Sequence, residues 1–405
     1  MKIYPFAGIR PKNDLSGHLI SRPYKDYDLK ELEGQLDYNQ YSFLQILNPG
    51  YRYHQNIKGE SRFKLVHNRY QEFKEKQFLV SDMSSAYYVY RKTTPQRSYT
   101  GIIANVSTED YHNHLVKKHE NTIQSRVNLF TDYLQTVGYN AEPVLMTYQD
   151  RAGINDFLDL ITSKEPDQHC RTTDAVLHEL WVISEQQSIR ELSELFDKVP
   201  HLYIADGHHR SASSVLLSDQ SGHDNPSYKR FMTYILPESQ LQIEMFSRLI
   251  KGLNGQSPES LLLELDNHYR IEQLGLLSTV PTVPKEMIMY LSGSFYRLSL
   301  RESVYEMDTP LSQLDTQILY DTILQPLLGI KDLRNDQRIS YDLPGTDLLM
   351  MKHLIDQGAY DIGFSLLPLS IDQIKKVSDA NMVMPPKSTC IYPKLYSGLV
   401  IYEFQ

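Results

Sequence analysis

Short runs of apolar and β-branched residues alternate along this chain with stretches whose apolar positions recur every three or four residues. That pattern predicts strands interleaved with helices. Ala86-Tyr87-Tyr88-Val89-Tyr90-Arg91 and Tyr99-Thr100-Gly101-Ile102-Ile103-Ala104-Asn105-Val106 read as the two strands of a hairpin. Residues 143–148, 176–183 and 231–236 read as further strands, the last ending before Pro237. Residues 69–79 suit a helix, and residues 188–197 form an amphipathic helix with Ser188 as its cap. Ser107 with Asp110 three residues on fits a capping box, and a helical pattern follows that runs at most to Gly138, a suitable C-cap.

Beyond residue 255 the character changes. Ser257-Pro258-Glu259-Ser260 opens a helix with proline at its first position. Residues 287–291 and 295–300 predict a second hairpin around Ser292-Gly293-Ser294. Residues 315–324 are helical and must end or kink before Pro326. Residues 391–396 and 398–404 close the chain as strands. Residues 1–60, punctuated by Pro5, Pro11, Pro23 and Pro49, form a turn-rich arm expected to pack on a larger body. No internal repeat is visible. The expected fold class is α/β in the mixed, α+β sense. Two domains are expected, 1–255 and 256–405, with the Pro-Pro-Lys-Ser-Thr tail of the second returning to the site.

Composition narrows the class. An apolar fraction of 41% in 405 residues suits a globular chain with a sizeable core. The net charge of −9 provides no global field for nucleic acid or an anionic membrane. Cys170 and Cys390 are too few for a disulfide framework or a cysteine zinc site. The opening Met1-Lys2-Ile3-Tyr4-Pro5-Phe6 lacks the apolar core of a signal peptide, and no apolar run is long enough to span a bilayer, so a cytoplasmic location is expected. Trp181 lies in an apolar run and reads as core.

The densest chemistry lies in Tyr203-Ile204-Ala205-Asp206-Gly207-His208-His209-Arg210-Ser211. It reads as strand, tight turn and helix start. The free N–H groups and dipole of a helix N-terminus favour an anion, so this corner suits phosphate. Arg210 would hold phosphate oxygens with its fork of donors, Gly207 would let the backbone approach, and Ser211 would add a ligand donor at the same site. His208 or His209 would donate or transfer a proton, while Asp206 would orient a histidine or hold Mg2+. The alternatives are a histidine-rich exposed turn and, less favoured, a structural zinc site. In Lys117-Lys118-His119-Glu120-Asn121-Thr122-Ile123-Gln124-Ser125-Arg126, a helix would set His119, Thr122 and Arg126 on one face, with Glu120 beside them as base or metal ligand. The bland alternative is a solvated charged helix. In Met384-Pro385-Pro386-Lys387-Ser388-Thr389, Lys387 offers a point charge and Ser388 and Thr389 hydroxyl donors, although the glycine cradle of a Walker loop is missing. The alternative here is a proline turn leading into the last strands.

These motifs carry a resemblance. Pro5-Phe6-Ala7-Gly8-Ile9-Arg10-Pro11, Lys118-His119-Glu120-Asn121-Thr122, the Asp206–Arg210 run and Met384–Thr389 with Tyr392-Pro393-Lys394 resemble the bacterial domain-of-unknown-function family numbered 1015, from end to end. Where that family carries Pro-Pro-Tyr-Asp, this chain has Arg22-Pro23-Tyr24-Lys25, with Asp26 and Asp28 nearby. The Asp-Gly-His-His-Arg core is also similar to the signature of the ParB/sulfiredoxin superfamily, whose members include nucleotide-dependent DNA clamps, sulfiredoxins and free-serine kinases. In ParB a Glu-Asn box follows the arginine motif, whereas here Glu120-Asn121 precedes it. The resemblance implies a nucleotide- or phosphate-binding core. It suggests phosphoryl transfer on serine or phosphoserine, as kinase or phosphatase, with ATP or ADP and Mg2+. Arg210 and Lys387 would then neutralise phosphoryl oxygens, and Glu120 or His209 would handle the hydroxyl proton. The alternative is a ParB-like regulator or metabolite sensor without catalysis. The expected partner is a small phosphorylated metabolite or nucleotide.

Overall fold

The computed structural model describes residues 1–221, 225–277, 279–341 and 347–404. Its contacts divide into two units: residues 1–117, 121–241 and 393–405 form the first, and residues 118–120 and 242–392 the second.

The first unit is built on the predicted hairpin. Strand β1 (Tyr87–Thr93) pairs antiparallel with β2 (Ser98–Ser107). Their alternation splits the side chains between two buried faces. Tyr87, Val89, Ile102, Ala104 and Val106 join one apolar cluster. Tyr88, Tyr90 and Ile103, one position out of step, are buried too. Six more strands extend the sheet: β3 (Val116–Lys117), β4 (Val144–Tyr148), β5 (Gln168–Arg171), β6 (Leu177–Ile183), β7 (Leu202–Asp206) and β8 (Arg230–Pro237). The order is β3-β7-β4-β8-β2-β1-β6-β5. Only β7–β3 and β8–β4 are parallel. The sheet is therefore mixed, and the fold is α+β as the sequence predicts. Helices α1 (Ala152–Thr162) and α2 (Gln186–Asp197) add Phe157, Leu192 and Phe196 to the first cluster, beside the buried Trp181.

The amino-terminal arm packs as expected. Tyr4, Phe6 and Ile9 bridge to Asn105, Ala86 and Ile401. A second apolar cluster gathers Ile9, Phe43, Val66, Tyr70, Val137 and Ile401 from segments remote in sequence. No helix among the described residues is long and apolar enough to cross a membrane.

In the second unit, β9 (Arg248–Ile250), β10 (Tyr269–Gly275), β11 (Glu286–Leu291), β12 (Ser294–Leu300), β13 (Ile339–Ser340) and β14 (Ile362–Leu366) form an antiparallel sheet in the order β10-β12-β11-β14-β9-β13. The predicted hairpin turn is present, with Ser292 and Gly293 at φ 47° and 80°, the positive pair that a two-residue hairpin loop requires. Helix Pro258–Asp266 starts on Ser257 with proline at its first turn. The helix at Asp315–Leu319 continues as a π-turn, Tyr320–Leu324, ahead of Pro326.

Several expectations need correction. Residues 69–79 are not one helix: the helix is Gly59–Glu75, Gln77 turns left-handed at φ 55°, and Leu79–Ser81 is a strand. The pattern from Ser107 to Gly138 breaks into helix Thr108–His112, strand β3 and helix α3 (Gln124–Val137); α3 does end on Gly138 at φ 81°. His114, at φ 57°, ends the first piece, and pairing with Leu202 and Tyr203 draws Val116 and Lys117 into the sheet. Ser107 caps through the Glu109 N–H and not through a box with Asp110. The 188–197 helix starts earlier, at Gln186 with Glu185 as N-cap, so Ser188 lies inside its first turn. The closing strands are short, Cys390–Tyr392 and Tyr402–Glu403, because the chain between them makes single bridges instead.

Gly101 on β2 shows how tightly the central pairing is set. A Cβ there would run into the Ile235 carbonyl oxygen and come within 2.8 Å of Leu236 Cδ2. Gly101→Ala is expected to lower the unfolding free energy by about 1–3 kcal/mol in urea titrations. An unchanged midpoint and slope would contradict this register.

Candidate functional site

The Asp-Gly-His-His-Arg run folds as its pattern predicts. Leu202 to Ala205 are buried in β7, the strand stops at Asp206, and helix α4 (His208–Ser221) starts after a single intervening residue. Gly207 makes the join at φ 103°, a conformation that side chains rarely adopt. Glycine is needed here for a second reason. A Cβ would stand 3.0 Å from Arg210 Nε and 3.2 Å from its Nη2, so the guanidinium occupies the space above Gly207.

Arg210 is held in that place from three sides. Its Nη2 donates to Asp206 Oδ2 at 2.5 Å, and its Nη1 donates to the Pro143 carbonyl at 2.5 Å. Glu142 Oε1 lies 3.0 Å from Nη1. These contacts engage at most three of the five guanidinium N–H groups; Nε–H and one Nη2 N–H remain beyond them. Lys394 Nζ lies 3.6 Å from the other Asp206 oxygen. Two carboxylates and two cations thus meet at the strand end. All are partly exposed, so each pair stabilises the fold by ~1 kcal/mol or less. Their main effect is to fix where Arg210 stands.

His209 Nε2 accepts the Ile123 backbone N–H at 3.0 Å. That bond requires an unprotonated Nε2, which places the ring proton of the neutral form on Nδ1. It also ties the corner to the start of α3. His208 is buried. Ser211 is buried as well, and its hydroxyl donates to the His208 carbonyl at 3.0 Å, so it does not serve as the ligand donor expected from the sequence.

Behind the corner lies a buried polar chain that the sequence did not reveal. Lys92 Nζ donates to the Lys394 carbonyl at 2.8 Å and so positions the lysine that faces Asp206. Burial pushes the Lys92 amine down to about 8, against the pull of Asp174 and Asp26. Across the β1–β6 pair its neighbour is His178, which burial and the Lys92 charge push down to about 3. His178 Nδ1 shares a hydrogen bond with Tyr90 Oη at 2.7 Å and its Nε2 lies 3.3 Å from Thr172 Oγ1. Thr172 and Tyr396 both donate to Asp174.

The second sequence motif is not a helix face. Lys118, His119 and Glu120 belong to the second unit, where the His119 carbonyl accepts the Met384 N–H at 2.9 Å. Asn121 onward belongs to the first unit. Thr122 is half-buried ahead of α3, and Arg126 is exposed in its first turn. The common face of His119, Thr122 and Arg126 is therefore lost, because residues 118–123 are not helical and α3 starts only at Gln124. In the 384–389 segment the Ser388 hydroxyl is buried, donates to the Pro385 carbonyl at 2.7 Å and lies 3.2 Å from Thr316 Oγ1. It anchors a turn and does not face a ligand. Lys387 is exposed and Thr389 half-buried. Arg10 and Arg22 are structural: Arg10 is forked onto Asp82, and Arg22 pairs with Glu31 and lies over the Tyr27 ring.

The sequence missed Glu142, Lys92, His178 and Lys394 as parts of this neighbourhood. Glu142 could have been suspected from its place before a predicted strand, and Lys394 from Tyr392-Pro393-Lys394. Asp206 faces two cations, and among the described residues no group of three or more His, Cys, Asp or Glu could hold a metal ion. The protein groups at this corner do not fit a resident Mg2+.

The chain belongs to a family whose model matches most of its length but ends before the Met384–Lys394 segment. That family is described as Protein of unknown function (DUF1015), and its profile matches residues 3–317. No curated protein matches the chain. Similar solved structures include SbnI with a C-terminal truncation from Staphylococcus aureus, at 13% identity over 73% of this chain and 87% of that one, TM-score 0.39. A free serine kinase in complex with AMP is similar at 12% identity over 75% of this chain and 91% of that one, TM-score 0.36. A conserved hypothetical protein from Pyrococcus furiosus is similar at 13% identity over 73% and 95%, TM-score 0.34.

The buried chain makes stability depend on pH. The unfolded state binds more protons than the folded state wherever a base has its pKa lowered by folding, so stability rises with pH through such windows. For His178 the window runs from about 3 to 6.5, and for Lys92 from about 8 to 10.5. Urea midpoints are expected to fall on acidification below about pH 6.5, and His178→Gln is expected to flatten that slope. An equal slope in the variant would contradict the buried neutral imidazole.

Proposed function

We propose that this chain is an enzyme of phosphoryl transfer on a small hydroxy amino acid, with serine or phosphoserine as substrate and ATP or ADP as the nucleotide. One observation carries the proposal: Arg210 is held over Gly207, at the first turn of a 14-residue helix, by Asp206, Glu142 and the Pro143 carbonyl, with N–H groups beyond those it spends on them. A guanidinium fixed before the ligand arrives loses little further freedom on binding. The helix N-terminus adds its dipole, and the glycine lets a phosphate approach where any Cβ would obstruct.

Phosphoryl transfer asks chiefly for charge stabilisation on the equatorial oxygens, which is the task suited to Arg210. With the Ile123 N–H on Nε2, the ring proton of neutral His209 sits on Nδ1, so the ring is not placed to act as the first proton acceptor. Asp206 keeps Arg210 and Lys394 in register, a positioning role, in place of the Mg2+ role expected from the sequence. Magnesium would come as part of the nucleotide substrate. Glu120, expected from the sequence to handle the hydroxyl proton, belongs to the second unit and is not assigned to this corner. The choice of serine rests on the family resemblance and not on the corner's geometry.

The test is turnover of serine with ATP or ADP, and of phosphoserine with ADP, AMP or water, in magnesium buffer with product separation. Arg210→Ala is expected to reduce kcat/KM about 100-fold or more and His209→Ala by a comparable factor, with unfolding midpoints recorded for each variant. Variants that fold and turn over like the wild type would overturn the assignment. The balance of two carboxylates against two cations also suits reversible capture without chemistry. Calorimetric binding of phosphoserine or ADP with no product after long incubation would make the chain a metabolite sensor.

A further inference from the structure

Arg248 opens β9 in the second unit and is only 3% exposed. Its Nη1 donates to the Phe246 carbonyl and its Nη2 to the Lys387 carbonyl at 3.1 Å. No carboxylate pairs with it among the described residues; its guanidinium carbon lies 5.7 Å from the Tyr341 ring centroid. A buried guanidinium normally comes with an anion, because carbonyl dipoles repay only part of the lost hydration. Burial pushes this group down to about 10, and only Tyr341 opposes the shift.

The residue whose carbonyl Arg248 meets is itself a cation. Lys387 is exposed, stands at φ 59°, and carries its ammonium 4.9 Å from the Phe246 ring centroid. It also has no acidic partner among the described residues. Phe246 therefore serves both: its carbonyl accepts from Arg248 and its ring lies under Lys387. The turn that carries Lys387 is fixed from below by the buried Ser388, whose hydroxyl reaches the Pro385 carbonyl and Thr316. The two Arg248 bonds engage two of five N–H groups. The other three N–H groups of this buried guanidinium lie beyond both carbonyls, on a turn that also carries the exposed Lys387.

We propose that Arg248 and Lys387 form a binding site in the second unit for a small oxyanion group, the phosphate or carboxylate of a metabolite. The fork of Arg248 supplies oriented donors and Lys387 an exposed point charge on the adjoining turn. This site does not depend on the phosphoryl-transfer proposal: a chain without that activity would still bind the anion here.

The experiment uses the full chain carrying Arg210→Ala, which removes the principal cation of the first unit. Calorimetry with inorganic phosphate, phosphoserine and serine, at constant ionic strength in chloride, measures what remains. Binding is expected to persist, to weaken about tenfold or more with Lys387→Ala, and to be lost with Arg248→Met. Lys387 is at the surface, so its variant tests the site without threatening the fold. Arg248→Lys, which keeps the charge, is expected to retain part of the affinity. Binding of phosphate and phosphoserine but not serine assigns a phosphate ligand; binding of all but phosphate assigns a carboxylate. No binding of any probe at millimolar concentration, or equal binding with and without Lys387, overturns the proposal.

Discussion

The candidate site depends on one constraint: Asp206 and Glu142 hold Arg210 above a glycine that has no side chain to resist it. The exposed ion pairs contribute little to folding. Their value is geometric. The strand fixes Asp206, the helix fixes Arg210 four residues on, and the Pro143 carbonyl fixes the far nitrogen. A guanidinium so held can meet an anion without first searching for a conformation.

The support behind this corner is indirect and long-range. Lys92 sits on β1, yet its ammonium secures the backbone of Lys394, 302 residues later in the chain. Lys394 in turn faces Asp206. Lys92 also lies opposite His178, so a buried amine and a buried imidazole share one desolvated patch. Among the described residues neither has a direct ion pair. The patch is held by tyrosine hydroxyls, Thr172 and Asp174, which partly explains why so many of the tyrosines are buried.

The strand pattern was legible wherever period two ran long enough, as in β1, β2 and β6, and wherever turn chemistry was explicit, as at Ser292-Gly293 and Asp206-Gly207. Both signals are local. The expected helix from Ser107 to Gly138 failed because pairing with β7 outweighed helical periodicity at Val116 and Lys117, a contact with residues some 85 positions away. The histidine, threonine and arginine expected on one face were lost with it. The Asp206–Arg210 motif was found, but the partners of Arg210 were not, since Glu142 reaches it only through the neighbouring strand. Ser211 and Ser388 show the remaining difficulty. Residue type marks a hydroxyl as a donor, but only the fold decides whether it turns outward to a ligand or inward to a carbonyl.

The central claim is that Arg210 receives a phosphate. A crystal structure of the protein grown with ADP and phosphoserine tests it most directly. The account predicts a phosphate oxygen about 3 Å from Arg210 Nε or Nη2, over Gly207, with Asp206 and Glu142 still in contact with the guanidinium. A phosphate bound elsewhere, with Arg210 engaged only by its two carboxylates and the Pro143 carbonyl, would contradict it.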